Sequence, residues 1–149
     1  MPAEVARVDP APDLPPNSIG VELANEKTQP LTNYPVRLGV MSQSIAEGES
    51  HSEMFKSTDS TGRVRFDGLS TGTRYSYRVS VTSGPAKYAA SPFNLRGDTG
   101  QRVKISVYPF TRNVDETLVA MRGFLYIEPR EDVFQVELLF HIFNMGTTT

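Results

Sequence analysis

The chain has 149 residues, a formal net charge of −2 and no cysteine. This length suits one compact domain, or one domain with part of a second. The absence of cysteine excludes disulfides, Cys-based metal sites and Cys nucleophiles, and the small net charge gives no broad attraction to nucleic acid. No stretch reaches the ~18 apolar residues that cross a bilayer. We therefore expect neither nucleic-acid binding nor membrane insertion.

The N-terminal segment, residues 1–17, carries five prolines and little apolar material. Proline lacks an amide donor and favours extended or polyproline conformations. The first seven residues contain no apolar stretch of the kind that a signal peptide has. We interpret the segment as a disordered or extended lead-in to the folded domain.

Residues 18–110 alternate apolar and polar side chains with the period of two that is typical of half-buried strands. The clearest example runs from Tyr75 to Val81, where the odd-numbered residues are apolar. Turn residues separate the strands, and the polar stretch 42–50 is predicted to be a loop. Short strands at this spacing, without a helical stripe, indicate a sandwich or a barrel. The predicted strands are centred on 19–23, 36–40, 51–57, 64–66, 75–81, 88–95 and 103–107.

A polar break at 111–116 precedes two longer apolar strands, 118–127 and 133–144, which we predict to form a hairpin. The second strand is apolar on both faces, and such strands are usually buried on both. Either a second layer of the same domain covers it, or it packs on another chain or on a following module. We interpret 111–149 as the start of a second β module or as an interaction element. The predicted interface residues are Leu139, Phe143, Phe124 and Tyr126.

Two glycine-centred turns flank a short strand in the middle of the chain. The runs that carry them are TDSTGRVRFDGL at 58–69 and GTRY at 72–75, and QPLTNYPVRL at 29–38 precedes them. Together these runs resemble the middle of transthyretin-like modules, which include the carboxypeptidase regulatory-like domains. The resemblance covers about residues 18–110. It implies an all-β, prealbumin-like (immunoglobulin-like) antiparallel β-sandwich, here with a C-terminal β-hairpin extension.

Transthyretin-like modules mostly sit on exported proteins as spacers, adhesion modules or accessory domains. The resemblance therefore implies a periplasmic, cell-surface or secreted protein, with a cytoplasmic location as the alternative. Some members of the broader fold, the hydroxyisourate hydrolases, use His and Arg residues and end in a Tyr-Arg-Gly-Ser signature. This chain ends in MGTTT at 145–149 and departs from that pattern, so we do not expect that activity.

Only two histidines, His51 and His141, are available for catalysis or metal binding. A zinc site needs three or four converging ligands, and no Gly-x-Ser-x-Gly elbow is present. We therefore expect no catalytic residues, no metal site and no cofactor. The alternative is an unrecognised hydrolase in which His51 or His141 acts with a nearby carboxylate.

The resulting expectation is a non-enzymatic binding or scaffold module that acts through a protein partner or through self-association. A carbohydrate-binding module is the alternative, because such modules present aromatic platforms on a sandwich surface. The predicted ligand-contacting rings are Tyr88, Phe93, Tyr108 and Phe110. A basic outer face is also predicted on two strands expected to be neighbours, for which a solvated strand face is the simpler interpretation. Its residues are Arg63, Arg65, Arg74 and Arg78.

Overall fold

The computed structural model describes residues 5–146. These residues form ten strands and one short 3₁₀ helix, Val114–Glu116, so the fold is all-β. The chain divides between Phe110 and Thr111 into two compact units, which we call the sandwich (5–110) and the hairpin unit (111–146). The strands are β1 (Ala6–Ala11), β2 (Ile19–Asn25), β3 (Pro35–Ser44), β4 (Gly48–Ser57), β5 (Arg63–Phe66), β6 (Tyr75–Ser83), β7 (Ala86–Ala89), β8 (Gly100–Val107), β9 (Val119–Pro129) and β10 (Phe134–Asn144).

Two four-stranded sheets build the sandwich. The first has the strand order β1-β8-β2-β5 and the second has the order β4-β3-β6-β7. Neighbouring strands are antiparallel, except that β2 and β8 run parallel. Buried side chains from both sheets form a single apolar cluster, so the two sheets share one core.

The alternation of side chains along each strand decides which residues enter this core. In β6, Tyr77, Val79 and Val81 are at most 2% exposed, whereas Arg78 is exposed. Burial of side chains of this size contributes about 1.5–3 kcal/mol each. The Tyr77 hydroxyl donates a 2.7 Å hydrogen bond to the Ser70 carbonyl, which satisfies the polar end of a buried ring. The other large, fully buried side chains are Phe66, Ile19, Leu23, Leu38, Leu95, Ile105, Val21, Val36 and Val103.

Strand β1 corrects the interpretation of residues 1–17 as a lead-in. It pairs antiparallel with β8, and Ala11 at its end is fully buried. Pro10 lies opposite Gln101 in this ladder. Proline is tolerated there because β1 is the edge of its sheet. Residues 6–11 therefore belong to the sandwich, and residues 1–4 lie outside the described part of the chain.

The long hairpin of β3 and β4 replaces most of the loop predicted at 42–50. The two strands pair from Pro35–Ser57 to Ser44–Gly48, which leaves only residues 45–47 for the turn. Nearly every residue of β4 is exposed. Because β4 is the edge of the second sheet, backbone hydrogen bonds rather than burial hold it, and its side chains can be polar.

A tight turn before β5 explains the first glycine of the TDSTGRVRFDGL run. The Asp59 carboxylate accepts hydrogen bonds from the Thr61 hydroxyl (2.6 Å), the Thr61 amide (2.8 Å) and the Arg63 amide (3.1 Å). These donors hold the pKa of Asp59 below its ordinary value. Gly62 has φ +73°, and a Cβ there would lie 2.7 Å from the Leu23 carbonyl oxygen. Only glycine can adopt this left-handed conformation without strain and also allow the Leu23 carbonyl to approach so closely at position 62.

Candidate functional site

Exposed apolar side chains concentrate in the hairpin unit. Strands β9 and β10 pair antiparallel over eleven residues each, and every residue of both strands is exposed. Of the large apolar residues that are exposed within 5–146, seventeen belong to the hairpin unit and four to the sandwich. Large exposed apolar surfaces mark contact sites in folded proteins. The hairpin is therefore the candidate functional site.

Polar contacts at both ends of the hairpin hold its register. At the closed end, the Arg130 amide donates to the Val133 carbonyl (2.8 Å), and the Arg130 guanidinium lies 3.0 Å from the Glu128 carboxylate. At the open end, the Met145 amide donates to the Leu118 carbonyl (2.7 Å). Because side chains alternate with a period of two, this register decides which residues share a face.

One face of the hairpin, which we call the mixed face, contains all four interface residues predicted from the sequence. Leu139 lies opposite Phe124, and the Phe124 ring stacks on Tyr126 with 6.4 Å between ring centroids. Phe143 packs edge-on against His141 at 6.3 Å. The four predicted residues expose 40–56% of their surface. The mixed face comprises Ala120, Arg122, Phe124, Tyr126, Glu128, Gln135, Glu137, Leu139, His141 and Phe143.

The opposite face, which we call the apolar face, carries no charged side chain. The sequence predicted apolar side chains on both faces of the last strand, so the β10 half of this face was expected, whereas its β9 half was not predicted. Gly123 interrupts the apolar pattern of β9, and in the structure the Phe140 ring lies beside it: a Cβ on Gly123 would be 3.0 Å from the Phe140 ring. The apolar face comprises Met121, Gly123, Leu125, Ile127, Pro129, Phe134, Val136, Leu138, Phe140 and Ile142, and the Val119–Asn144 pair continues the same side at the open end of the hairpin.

The four rings predicted to contact carbohydrate do not form a shared surface platform. Tyr88 is only 5% exposed, and its hydroxyl donates to the Tyr108 carbonyl at 3.1 Å. Tyr108 and Phe93 are half-buried against the core, with the Phe93 ring 6.4 Å from that of Tyr77. Phe110 is 40% exposed. A buried ring offers no face to a sugar, so the assignment of Tyr88 as a surface contact is corrected.

The histidines have different surroundings. His51 is exposed on β4, with its Nε2 2.6 Å from the Glu49 carboxylate. It lines an open depression of about 400 Å³ that Ser76 also lines, but Met41 lies between His51 and Ser76 in the sheet. Two strand spacings place their Cα atoms roughly 10 Å apart. No hydrogen bond joins the His51 ring to the Ser76 hydroxyl, so these two residues do not form the contact that a base and a nucleophile need. His141 belongs to the hairpin unit, among the rings of the mixed face.

The four arginines predicted to share a basic face are divided between the two sheets. Arg63 and Arg65 lie on β5 of the first sheet, whereas Arg78 lies on β6 of the second and Arg74 precedes β6. The Arg63 guanidinium also lies 3.3 Å from the Glu22 carboxylate, which offsets part of the positive charge. A continuous basic strand face is therefore not formed.

Within residues 5–146, no cluster of three or more His, Asp or Glu side chains is placed to hold a metal ion. The same residues include no helix that is long and apolar enough to cross a membrane. A scan against protein-family models finds no match, and a search of curated proteins finds no related sequence.

Proposed function

We propose that this protein is a non-enzymatic binding or scaffold module that acts through protein–protein contacts made by its hairpin. The observation that carries this proposal is the exposure of apolar side chains on both faces of a two-stranded sheet. An isolated two-stranded hairpin is at best marginally stable in water. A partner that covers one face would remove apolar surface from water and would stabilise the hairpin at the same time.

The mixed face has the composition of a contact surface. Burial of Leu139 and Phe143 would contribute about 3–6 kcal/mol, at ~1.5–3 kcal/mol for each side chain. The loss of translational and rotational freedom on association offsets much of that gain. Arg122 and Glu137 stand beside this apolar centre and are exposed. Charged groups in that position orient a partner more than they add affinity.

We further propose that the sandwich is a transthyretin-like module of the prealbumin type. Two four-stranded sheets around one core, and a turn in which packing requires Gly62, support this assignment. Because modules of this family mostly sit on exported proteins, we propose a periplasmic, cell-surface or secreted location. Fractionation of the cells that naturally produce the protein tests it, and recovery in the cytosol alone would contradict it.

The two alternative functions have less support in the geometry. A carbohydrate platform would need Tyr88 at the surface, and Tyr88 is buried. A hydrolase that uses His51 would need a nucleophile within its reach, and the polar partner of the His51 ring is the Glu49 carboxylate. A substrate screen that finds a turnover abolished by His51→Ala would overturn the non-enzymatic proposal.

Site-specific photo-crosslinking tests the contact proposal in cells that naturally produce the full-length protein. A benzoylphenylalanine at Phe143 reports on the mixed face, and one at Phe55 is the matched control, since Phe55 is an exposed phenylalanine of β4. We expect a discrete protein adduct from position 143 that is absent from position 55. Leu139→Asp should abolish the adduct. Equal adducts from both positions, or none from position 143, would contradict the proposal.

A further inference from the structure

The apolar face is larger than a soluble monomer normally exposes. Eight of its side chains each leave 54–72% of their surface exposed. At about 100 Å² of exposed apolar surface for side chains of this size, the face presents on the order of 800 Å². The largest apolar patch of a typical monomer is ~300–600 Å². The eight residues are Met121, Leu125, Ile127, Phe134, Val136, Leu138, Phe140 and Ile142.

The chemistry of the apolar face restricts what can cover it. The face offers no charge, and the polar side chain on the same side, Asn144, lies at the open end of the hairpin and accepts the Gly146 amide at 3.0 Å. Over most of this face, a nucleic acid, a sugar or a charged peptide would therefore lose its hydration without gaining a polar partner. A second apolar sheet face packs on such a surface at a spacing of ~10 Å. Charged residues such as Glu128 and Glu137 lie on the mixed face and would remain in water.

A second copy of this chain provides a surface of the required size and chemistry. A standard protein interface buries about 800 Å² on each partner, and homodimer interfaces are the more apolar ones. A two-fold axis makes the same patch serve on both subunits. Leu125 lies opposite Leu138 in the middle row of the face, with the Gly123–Phe140 row beside it. A two-fold axis through this region would place the apolar side chains of one hairpin against the same side chains of the other.

We propose that two copies of this chain associate by packing the apolar faces of their hairpins against each other. This inference rests on the proposed function, since it names the partner for one face of the same hairpin. The mixed face stays accessible in the dimer for a different protein. Coverage of the apolar face supplies the second layer that a two-stranded sheet needs for stability.

A matched pair of substitutions tests the dimer. Leu138 and Leu139 are neighbours in β10 and expose 60% and 45% of their surface, but they lie on opposite faces. We expect the unmodified chain to sediment as a dimer, Leu138→Asp to weaken dimerisation at least about 100-fold, and Leu139→Asp to leave it intact. An unpaired charge buried at an interface has an effect of that order. A monomeric unmodified chain, or equal dissociation by both variants, would overturn the inference.

Cysteine variants keep the inference testable if Leu138→Asp disorders the hairpin. The chain contains no cysteine, so a single introduced thiol has only its own copy as a disulfide partner. Under mild oxidation, Leu138→Cys should give a covalent dimer and Leu139→Cys should not. The reverse pattern would overturn the inference. If the chain is a monomer but position 143 still gives the protein adduct, the dimer inference fails while the proposed function stands.

Discussion

Replacement of Gly62 by alanine should destabilise the sandwich far more than the same change at Gly68. Both glycines have similar left-handed backbones, with φ +73° and +69°. The conformational cost of a Cβ, about 1–2 kcal/mol, is therefore common to both positions. At Gly68 a new Cβ meets no atom within 4 Å, whereas at Gly62 it would lie 2.7 Å from the Leu23 carbonyl oxygen and 2.8 Å from the Pro30 Cβ.

The additional cost at Gly62 follows from what surrounds the Leu23 carbonyl. That oxygen accepts the Leu31 amide at 3.1 Å, and the Leu23 amide donates to the Gly62 carbonyl at 2.8 Å. A shift that relieves the clash would weaken these backbone hydrogen bonds. Overpacking of this kind costs about 1–3 kcal/mol. Added to the conformational cost, this gives a total of about 2–5 kcal/mol for Gly62→Ala, against about 1–2 kcal/mol for Gly68→Ala.

Chemical denaturation followed by far-ultraviolet circular dichroism measures both free energies of unfolding. The chain has six tyrosines and no tryptophan, so tyrosine fluorescence, to which the buried Tyr77 contributes, is the second probe. Equal destabilisation by the two variants would refute the reasoning. It would mean that the segment at Pro30 yields freely and that the left-handed backbone alone requires glycine at position 62.

Two further predictions concern the same turn. Thr58 is buried, and its hydroxyl donates a hydrogen bond to the Leu31 carbonyl (2.5 Å) and accepts one from the Tyr34 amide (2.9 Å). Because Thr58→Val removes both hydrogen bonds, we expect it to lower the free energy of unfolding in urea by about 2–3 kcal/mol. The control, Thr58→Ser, keeps the hydroxyl and should lower the free energy of unfolding by about 1 kcal/mol. Equal destabilisation by the two variants would show that the hydroxyl does not account for the effect. Asp59 has a pKa lowered mainly by the Thr61 hydroxyl. Its stabilising effect is therefore complete above the ordinary Asp pKa and is lost as the pH falls through the folded value. In thermal melts, we expect Asp59→Asn to be less stable than the unmodified chain at neutral pH, and we expect this difference in stability to decrease in acid. A difference that does not change with pH would contradict the prediction.

Period-two alternation predicted the inward and outward residues of the central strands because burial on one face selects apolar side chains at every second position. Tyr77, Val79 and Val81 were predicted to share a face, and the structure buries all three. The two long strands at the C-terminal end were predicted from their apolar runs and the polar loop between them, and β9 and β10 form the expected hairpin. Where burial of one face determines which residue types a strand contains, the sequence is enough to assign those residues to a strand and to its inward face.

The first edge strand, the full length of β4 and the partners of each strand in the sheets could not be predicted in this way. Strand β1 is held by its backbone ladder with β8, and β4 by its ladder with β3. Backbone hydrogen bonds leave no pattern in the side chains. The Pro-rich β1 was therefore interpreted as a lead-in, and the first residues of β4, 48–50, as part of a loop, although 51–57 was predicted to be a strand. Sheet membership depends on contacts between distant parts of the chain, which is why the arginines of β5 and β6 were assigned to neighbouring strands although the strands lie in different sheets.

The two units differ in where their large apolar side chains lie, and this difference distinguishes the source of stability from the proposed site of association. The sandwich buries its large apolar side chains in its own core, with Val5, Ile45, Phe55 and Phe110 as its exposed large apolar residues. The hairpin unit leaves such side chains exposed along both strands. Any partner that binds the folded hairpin, but not the unfolded chain, stabilises it by mass action. Order in the hairpin should therefore rise with partner concentration, whereas order in the sandwich depends on its own core.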